Sequence, residues 1–126
     1  MEVLDQHVNF RRANHQFYNA LFSMLYEVEV LTEPNSDFYS NHWLSAILLA
    51  SYEQREALRL AFEAENIETR PLWKPMHLQP VFQNAPYYGE KVSESLFEKG
   101  LCLPSGSNLT DSDRARISNV IANFFS

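Results

Sequence analysis

Apolar positions along this chain change period several times, and each change marks an element. Val3, Phe10, Ala13, Phe17, Leu21 and Met24 recur at the spacings of one helical face, with no Pro or Gly between them. They predict a long amphipathic helix from about Val3 to Leu25, with Arg11, Arg12, Asn14 and Gln16 mainly on its other side. A helix of this kind lies on a sheet or on a membrane surface, and the mixed charge of its polar side favours the sheet. Val28-Glu29-Val30-Leu31-Thr32 alternates and is rich in β-branched residues, which predicts a strand. Pro34-Asn35-Ser36-Asp37 is a turn cluster. The stretch His42 to Ala50 contains the apolar run Trp43 to Leu49, whose length and flanks predict a buried strand paired with the preceding one.

Ser51 followed by Gln54 has the spacing of a capping box and opens a second helix, with Leu58, Ala61 and Phe62 as its buried stripe. Asn66 stands where that helix should stop in a left-handed residue. A short strand is expected from Ile67 to Trp73. Residues Pro71 to Tyr88 are rich in proline and aromatics, and Pro71, Pro75, Pro80 and Pro86 exclude a continuous helix. A short helix from Ser93 to Lys99 ends at Gly100, and Leu101-Cys102-Leu103 is a brief strand. Thr110 caps a last helix, with Asp111 and Asp113 in its first turn and Ile117, Val120, Ile121 and Phe124 facing the core. The expected architecture is α+β, an α/β sandwich in which helices pack on a small, mostly antiparallel sheet of three to four strands.

Length fits this reading: 126 residues make one domain spanning 1–126. A net charge of −6 argues against a general grip on nucleic acid. No apolar run is long enough to span a bilayer, and Met1 to Asp5 lacks the basic and apolar regions of a signal peptide. The expectation is a soluble, cytoplasmic protein without membrane or nucleic-acid partners. A single cysteine, Cys102, allows neither an internal disulfide nor a cysteine-rich zinc site, and its apolar neighbours suggest an inert buried thiol. His7, His15, His42 and His77 show no i, i+4 pair, so no metal site is expected; His7 and His15 read as partly exposed polar residues. Three glycines leave no phosphate-cradling loop, and no nucleophile-elbow serine is present.

The segment Glu68-Thr69-Arg70-Pro71-Leu72-Trp73-Lys74-Pro75-Met76-His77 gathers cations and a histidine around an indole. Guanidinium and ammonium groups meet phosphate, and an indole face meets a sugar ring, so the loop suits an anionic or sugar ligand. The other reading is an aromatic mini-core with its charges in solvent. Both stand on composition alone.

This segment, continued by Gln79-Pro80-Val81-Phe82, resembles the C-terminal domain of the DegT/DnrJ/EryC1/StrS aminotransferases. So does Gly100-Leu101-Cys102-Leu103-Pro104-Ser105-Gly106-Ser107-Asn108-Leu109-Thr110. The helix bearing Leu4-Asp5 and Arg11-Arg12, and the Asn41-His42-Trp43-Leu44 segment, fit the family too. The resemblance implies the small domain of a fold type I enzyme dependent on pyridoxal phosphate (PLP). Such enzymes move an amino group, usually from glutamate, to a keto group of a nucleotide-linked sugar in polysaccharide biosynthesis, and act as homodimers. It implies that Trp73, Lys74 and His77 contact sugar or nucleotide phosphate, with Arg70 either joining them or holding the loop through a buried ion pair. The block Pro104-Ser105-Gly106 reads as a turn before the last helix. The PLP-binding large domain, with its Schiff-base lysine, has no counterpart here: Lys74, Lys91 and Lys99 are the only lysines, and none has that context. The expectations are no catalytic, cofactor-binding or metal residue in this chain, no cofactor bound by it alone, and no transamination by it alone. Its partners would be a PLP-binding large domain or further copies of itself, with a nucleotide sugar as ligand. The alternative is a non-catalytic nucleotide-sugar-binding or oligomerisation module.

Overall fold

A computed structural model describes residues 2–126. Helix α1 spans Leu4–Phe22, strand β1 Glu29–Val30, β2 Ser45–Leu48, α2 Tyr52–Ala64, β3 Arg70–Pro71, α3 Val92–Lys99, β4 Gly100–Leu103 and α4 Asp111–Phe125. Two single-turn 3-10 helices, Met76–Leu78 and Pro80–Phe82, lie between β3 and α3. The four strands form one antiparallel sheet in the order β1-β2-β4-β3. This is the expected α+β sandwich.

Directly opposed residues of antiparallel strands share a face. Val30, Ile47, Leu101 and Pro71 are opposed in turn across the sheet, and Ser45 opposes Leu103, so these residues mark one face. Against that face α1, α2 and α4 bring Tyr18, Phe22, Leu58, Phe62, Ile117, Val120 and Ile121 to form the core. Ala46, Leu48, Cys102 and Arg70 fall on the other face and take no part in it.

Local chemistry explains the element ends. The Ser51 hydroxyl accepts from the Gln54 N–H (3.2 Å), and the Gln54 side chain reaches back to the Ala50 N–H (3.0 Å), one residue before the predicted partner. Asn66 is left-handed (φ 57°), with Asn66 N–H donating to Glu63 and Ile67 N–H to Phe62 (both 2.9 Å), which closes α2 in a Schellman motif. Thr110 and Asp113 make the full reciprocal capping box of α4. Gly100 follows α3 in extended backbone (φ −85°, ψ 139°), so its role is space: a Cβ there would run into Leu72 and the Leu96 carbonyl.

Three expectations need correction. The buried seam of α1 runs through Asn14, His15, Tyr18 and Phe22, while Val3, Phe10, Ala13 and Met24 are exposed and Phe17 and Leu21 only partly covered. The helix is turned by about one residue, ~100°. Polar contacts explain this turn. Asn14 donates to the Gly106 carbonyl (2.9 Å) and accepts from Arg114 (2.8 Å), and the Tyr18 hydroxyl donates to the Pro104 carbonyl (2.6 Å). Satisfied in this way, polar groups are accommodated in a seam that hydrophobicity alone assigns elsewhere. His15, expected to be partly exposed, lies in that seam at 4% exposure, whereas His7 is on the surface with Nδ1 2.8 Å from the Ser107 hydroxyl. Finally, β1, β2 and β3 are shorter than predicted, whereas β4 gains Gly100. His42 adopts φ 47°, which breaks the extended backbone before Ser45, and Pro71 has no N–H to extend β3.

Candidate functional site

The segment 66–73 leaves α2 at Asn66 and crosses the sheet edge as β3, with a groove on each side. The first, of about 680 Å³, lies between this segment, the end of β4 with the Pro104–Ser105 turn, and the start of α4. Its walls are largely apolar, from Leu44, Ile67, Leu72, Trp73, Leu103 and Leu109, with Arg70, Arg116, Glu68 and Asp113 supplying charge. The second, of about 830 Å³, separates the segment from Tyr52, Arg55 and Arg59 of α2. Arg70 lines both.

The four candidate residues divide into two groups. Arg70 and Trp73 share the first groove; Lys74 and His77 line neither. The Arg70 side chain is 77% exposed and its Nε donates to Glu68 (2.7 Å), itself exposed, so the pair is a solvent pair rather than a buried brace. Trp73 is 68% exposed, and its indole lies against that of Trp43, centroids 5.9 Å apart and planes at 34°. Lys74 is exposed and makes no ion pair among the described residues; its carbonyl accepts from Gln79 (3.2 Å). His77 is half-buried, with Nε2 2.7 Å from a Glu94 carboxylate oxygen and its ring stacked on Tyr87 at 3.9 Å. His77 therefore ties the loop to α3.

Trp43 is the residue the sequence pattern hides. It opens an apolar run that reads as buried strand, yet it is 59% exposed. The left-handed His42 before it is the cause. Arg11 donates to the Trp43 and Ser105 carbonyls, fastening this turn to the β4–α4 turn. Ser105 is buried; its hydroxyl accepts from the Ser45 N–H and donates to the Leu103 carbonyl (both 2.7 Å).

An indole pair, an exposed guanidinium held, among the described residues, only by the solvent-facing Glu68, and apolar walls suit a ligand with a planar or ring moiety and an anionic group. The thiol and hydroxyl groups that line the first groove, on Cys102, Thr69 and Ser105, belong to buried residues. Cys102 is buried, and burial pushes its thiol up, away from the thiolate. Among the described residues no group of three or more His, Cys, Asp and Glu side chains is placed to hold a metal ion. None of Lys74, Lys91 and Lys99 lines either groove beside β3 or the smaller one between α2 and α4, so these residues do not fit a covalently anchored PLP. Among the described residues no helix is long and apolar enough to cross a membrane.

Three helices on one face of a four-stranded antiparallel sheet, with an aromatic groove at its edge, define a small α+β fold. The chain belongs to the DegT/DnrJ/EryC1/StrS aminotransferase family, whose sequence model matches residues 1–122. It is 37% identical over 129 residues to EpsN of Bacillus subtilis, named as a pyridoxal phosphate-dependent aminotransferase, covering 99% of this chain and 33% of EpsN. It is 28% identical over 126 residues to GDP-perosamine synthase of Escherichia coli O157:H7, covering 100% of this chain and 34% of that protein. The crystal structure of a DegT DnrJ EryC1 StrS aminotransferase from Brucella abortus matches with TM-score 0.81 and 29% identity, over 98% of this chain and 32% of that one. The chain thus spans about a third of the length of the curated relatives it matches.

Proposed function

We propose that this chain is the C-terminal, substrate-side domain of a PLP-dependent nucleotide-sugar aminotransferase. A large domain would supply the cofactor, its lysine and the phosphate-binding residues. PLP there would carry the amino group between glutamate and a keto sugar. Residues 1–126 would form one domain, offering Trp73 and Arg70, with Lys74 and His77 further along the loop, to sugar and phosphate. The observation that carries this reading is the match of nearly the whole chain to a third of each relative. By itself the chain would neither bind PLP nor transaminate, and its setting would be the cytoplasm.

The test is reconstitution. The corresponding third of the E. coli GDP-perosamine synthase is replaced by this chain, and formation of GDP-perosamine is followed. The chimera should be active with bound PLP, and Trp73→Ala should lower kcat/KM about tenfold, the worth of one good stacking contact, with PLP content unchanged. Retention of PLP by the 126-residue chain through dialysis would overturn the reading, as would a Trp73→Ala chimera of full activity. Exposed Met76, Val81, Tyr88 and Val92 favour a partner surface as well, either the large domain or a second copy. Sedimentation across concentration separates the two, because only the second predicts self-association of the chain alone.

A further inference from the structure

We propose that Arg12, Glu33, His42 and His15 form a pH-sensitive latch that sets the position of Trp43 against Trp73. The turn Ser40–Trp43 needs holding, because His42 is a non-glycine residue in left-handed backbone. Glu33 is the centre of the hold. One of its carboxylate oxygens accepts from the Ser40 N–H (3.0 Å) and from Arg12 (3.0 Å) and lies 3.3 Å from His42 Nε2. Arg12 also donates to the Ser40 carbonyl, and its guanidinium sits 4.3 Å over the Tyr39 ring. These hydrogen bonds hold the Glu33 carboxyl down at about 2, so Glu33 stays an anion throughout the histidine range.

The second half of the latch is a stack. The His15 ring of α1 lies on the His42 ring, centroids 3.6 Å apart and planes at 14°, with both residues buried. His15 Nδ1 has no hydrogen-bond partner among the described residues, and Nε2 has only Asn19 at 3.4 Å. The charged groups acting on the pair are Glu33 and Arg12. A first proton on His42 meets Glu33. A second, on His15, places two cations face to face on buried rings beside Arg12, with one partly exposed carboxylate among them. Burial is the largest cause lowering both histidines below their ordinary value; repulsion by Arg12 adds to it and attraction by Glu33 opposes it.

The sign follows. Unfolded histidine takes up its proton near pH ~6.5, and the latched pair does so at lower pH. The latched arrangement is therefore favoured fully above that value and loses ground as pH falls below it. Once the stack parts, the Ser40–Trp43 turn keeps Glu33 and Arg12 at Ser40 and Arg11 at the Trp43 carbonyl but loses the ring that seats His42, and Trp43 shifts away from Trp73. Any effect on ligand affinity rests on the function proposed above; the geometric claim does not.

Trp43 and Trp73 are the only two tryptophans, so their coupled circular dichroism in the far ultraviolet reports their contact directly. In the 126-residue chain the couplet should be present near pH ~8 and at least halved by pH ~5 while the helix signal holds. Trp43→Phe should abolish it at every pH. His15→Phe keeps a flat ring against His42 and removes an unpartnered buried nitrogen, so its couplet should persist to the lower pH. A couplet absent near pH ~8, unchanged on acidification, lost only together with the helix signal, or lost equally in His15→Phe would overturn the latch. If His15→Phe does not fold, imidazole NMR titration of the unaltered chain decides: protonation of His15 and His42 outside the interval in which the couplet fades overturns it. If the couplet behaves as expected but GDP-linked sugars do not bind the chimera, the functional reading fails and the latch stands.

Discussion

Residues that close the core and residues 73–92 are both rich in large apolar side chains, yet the first group is sealed and the second lies open. Tyr18, Ile47, Leu58, Phe62 and Leu101 are fully buried, whereas Trp73, Met76, Val81, Tyr88 and Val92 are exposed, and every residue from 81 to 93 lies at the surface. The difference is one of scaffolding rather than hydrophobicity. Core side chains sit on capped helices and paired strands, whose backbone groups are satisfied within the chain. The 73–92 segment has prolines, two single-turn 3-10 helices and, among the described residues, one side-chain hydrogen bond to the rest of the chain, His77–Glu94 reinforced by Tyr87, beside the Trp73–Trp43 contact. This uncovered apolar surface is the one that the proposed large domain or a second copy would cover.

The largest effect should separate the two regions outright. Phe62→Ala removes a fully buried ring from the α2–α4 contact and should cost about 3–5 kcal/mol in urea denaturation. Tyr88→Ala, at 91% exposure, should stay within about 0.5 kcal/mol. Comparable losses at the two sites would break the comparison. Gly100→Ala should come next, at about 1–3 kcal/mol, because the new methyl group meets Leu72 and a carbonyl that cannot yield. A smaller Leu72 should restore part of that loss; no rescue in Leu72→Ala/Gly100→Ala would show that the backbone contact decides.

How much of this was legible in the sequence depends on which interaction decides each position. Caps are local chemistry, so Ser51, Asn66 and Thr110 could be read from spacing and all end their helices as expected. The stripe on α4 was legible because its hydrophobic and buried faces coincide, and so were Leu58 and Phe62 of α2, but buried Arg55, which donates to the Glu98 carbonyl, was not. The buried face of α1 was hidden because its partners, Gly106, Arg114 and Pro104, lie 86 to 100 residues away. Part of the candidate site was similarly hidden. Arg70 and Trp73 stood out by composition, but Trp43 reaches Trp73 only through a left-handed His42 stabilised by Arg12 and Glu33 from other elements.

A smaller effect probes a cap in isolation. Thr110→Ala should cost about 1 kcal/mol, since it removes the acceptor for the Asp113 N–H. The same change should move the Asp113 carboxyl back up toward the ordinary carboxylate range. Its present low position comes from hydrogen bonds donated by the Thr110 N–H and hydroxyl. Because that position is depressed, the stabilisation is present above the ordinary carboxylate range and is lost as pH falls through the folded value. Carboxyl NMR titration of the two chains checks the shift, and an unmoved Asp113 would mean that the helix end, not the hydroxyl, holds it down.

The smallest expected stability effect is the most informative about the groove. Arg70 and Glu68 form an exposed pair, and exposed pairs contribute about 0–1 kcal/mol. Arg70→Gln should therefore leave the denaturation midpoint almost unmoved. If the guanidinium serves a ligand instead, the same substitution should weaken binding of an anionic sugar by the reconstituted enzyme about tenfold or more. The buried-brace reading of Arg70 predicts the opposite pattern, with stability lost and binding affected only through it. Measuring both quantities on one variant distinguishes a residue that faces outward to a ligand from one that serves the fold, which is the same distinction that separates the open segment from the core.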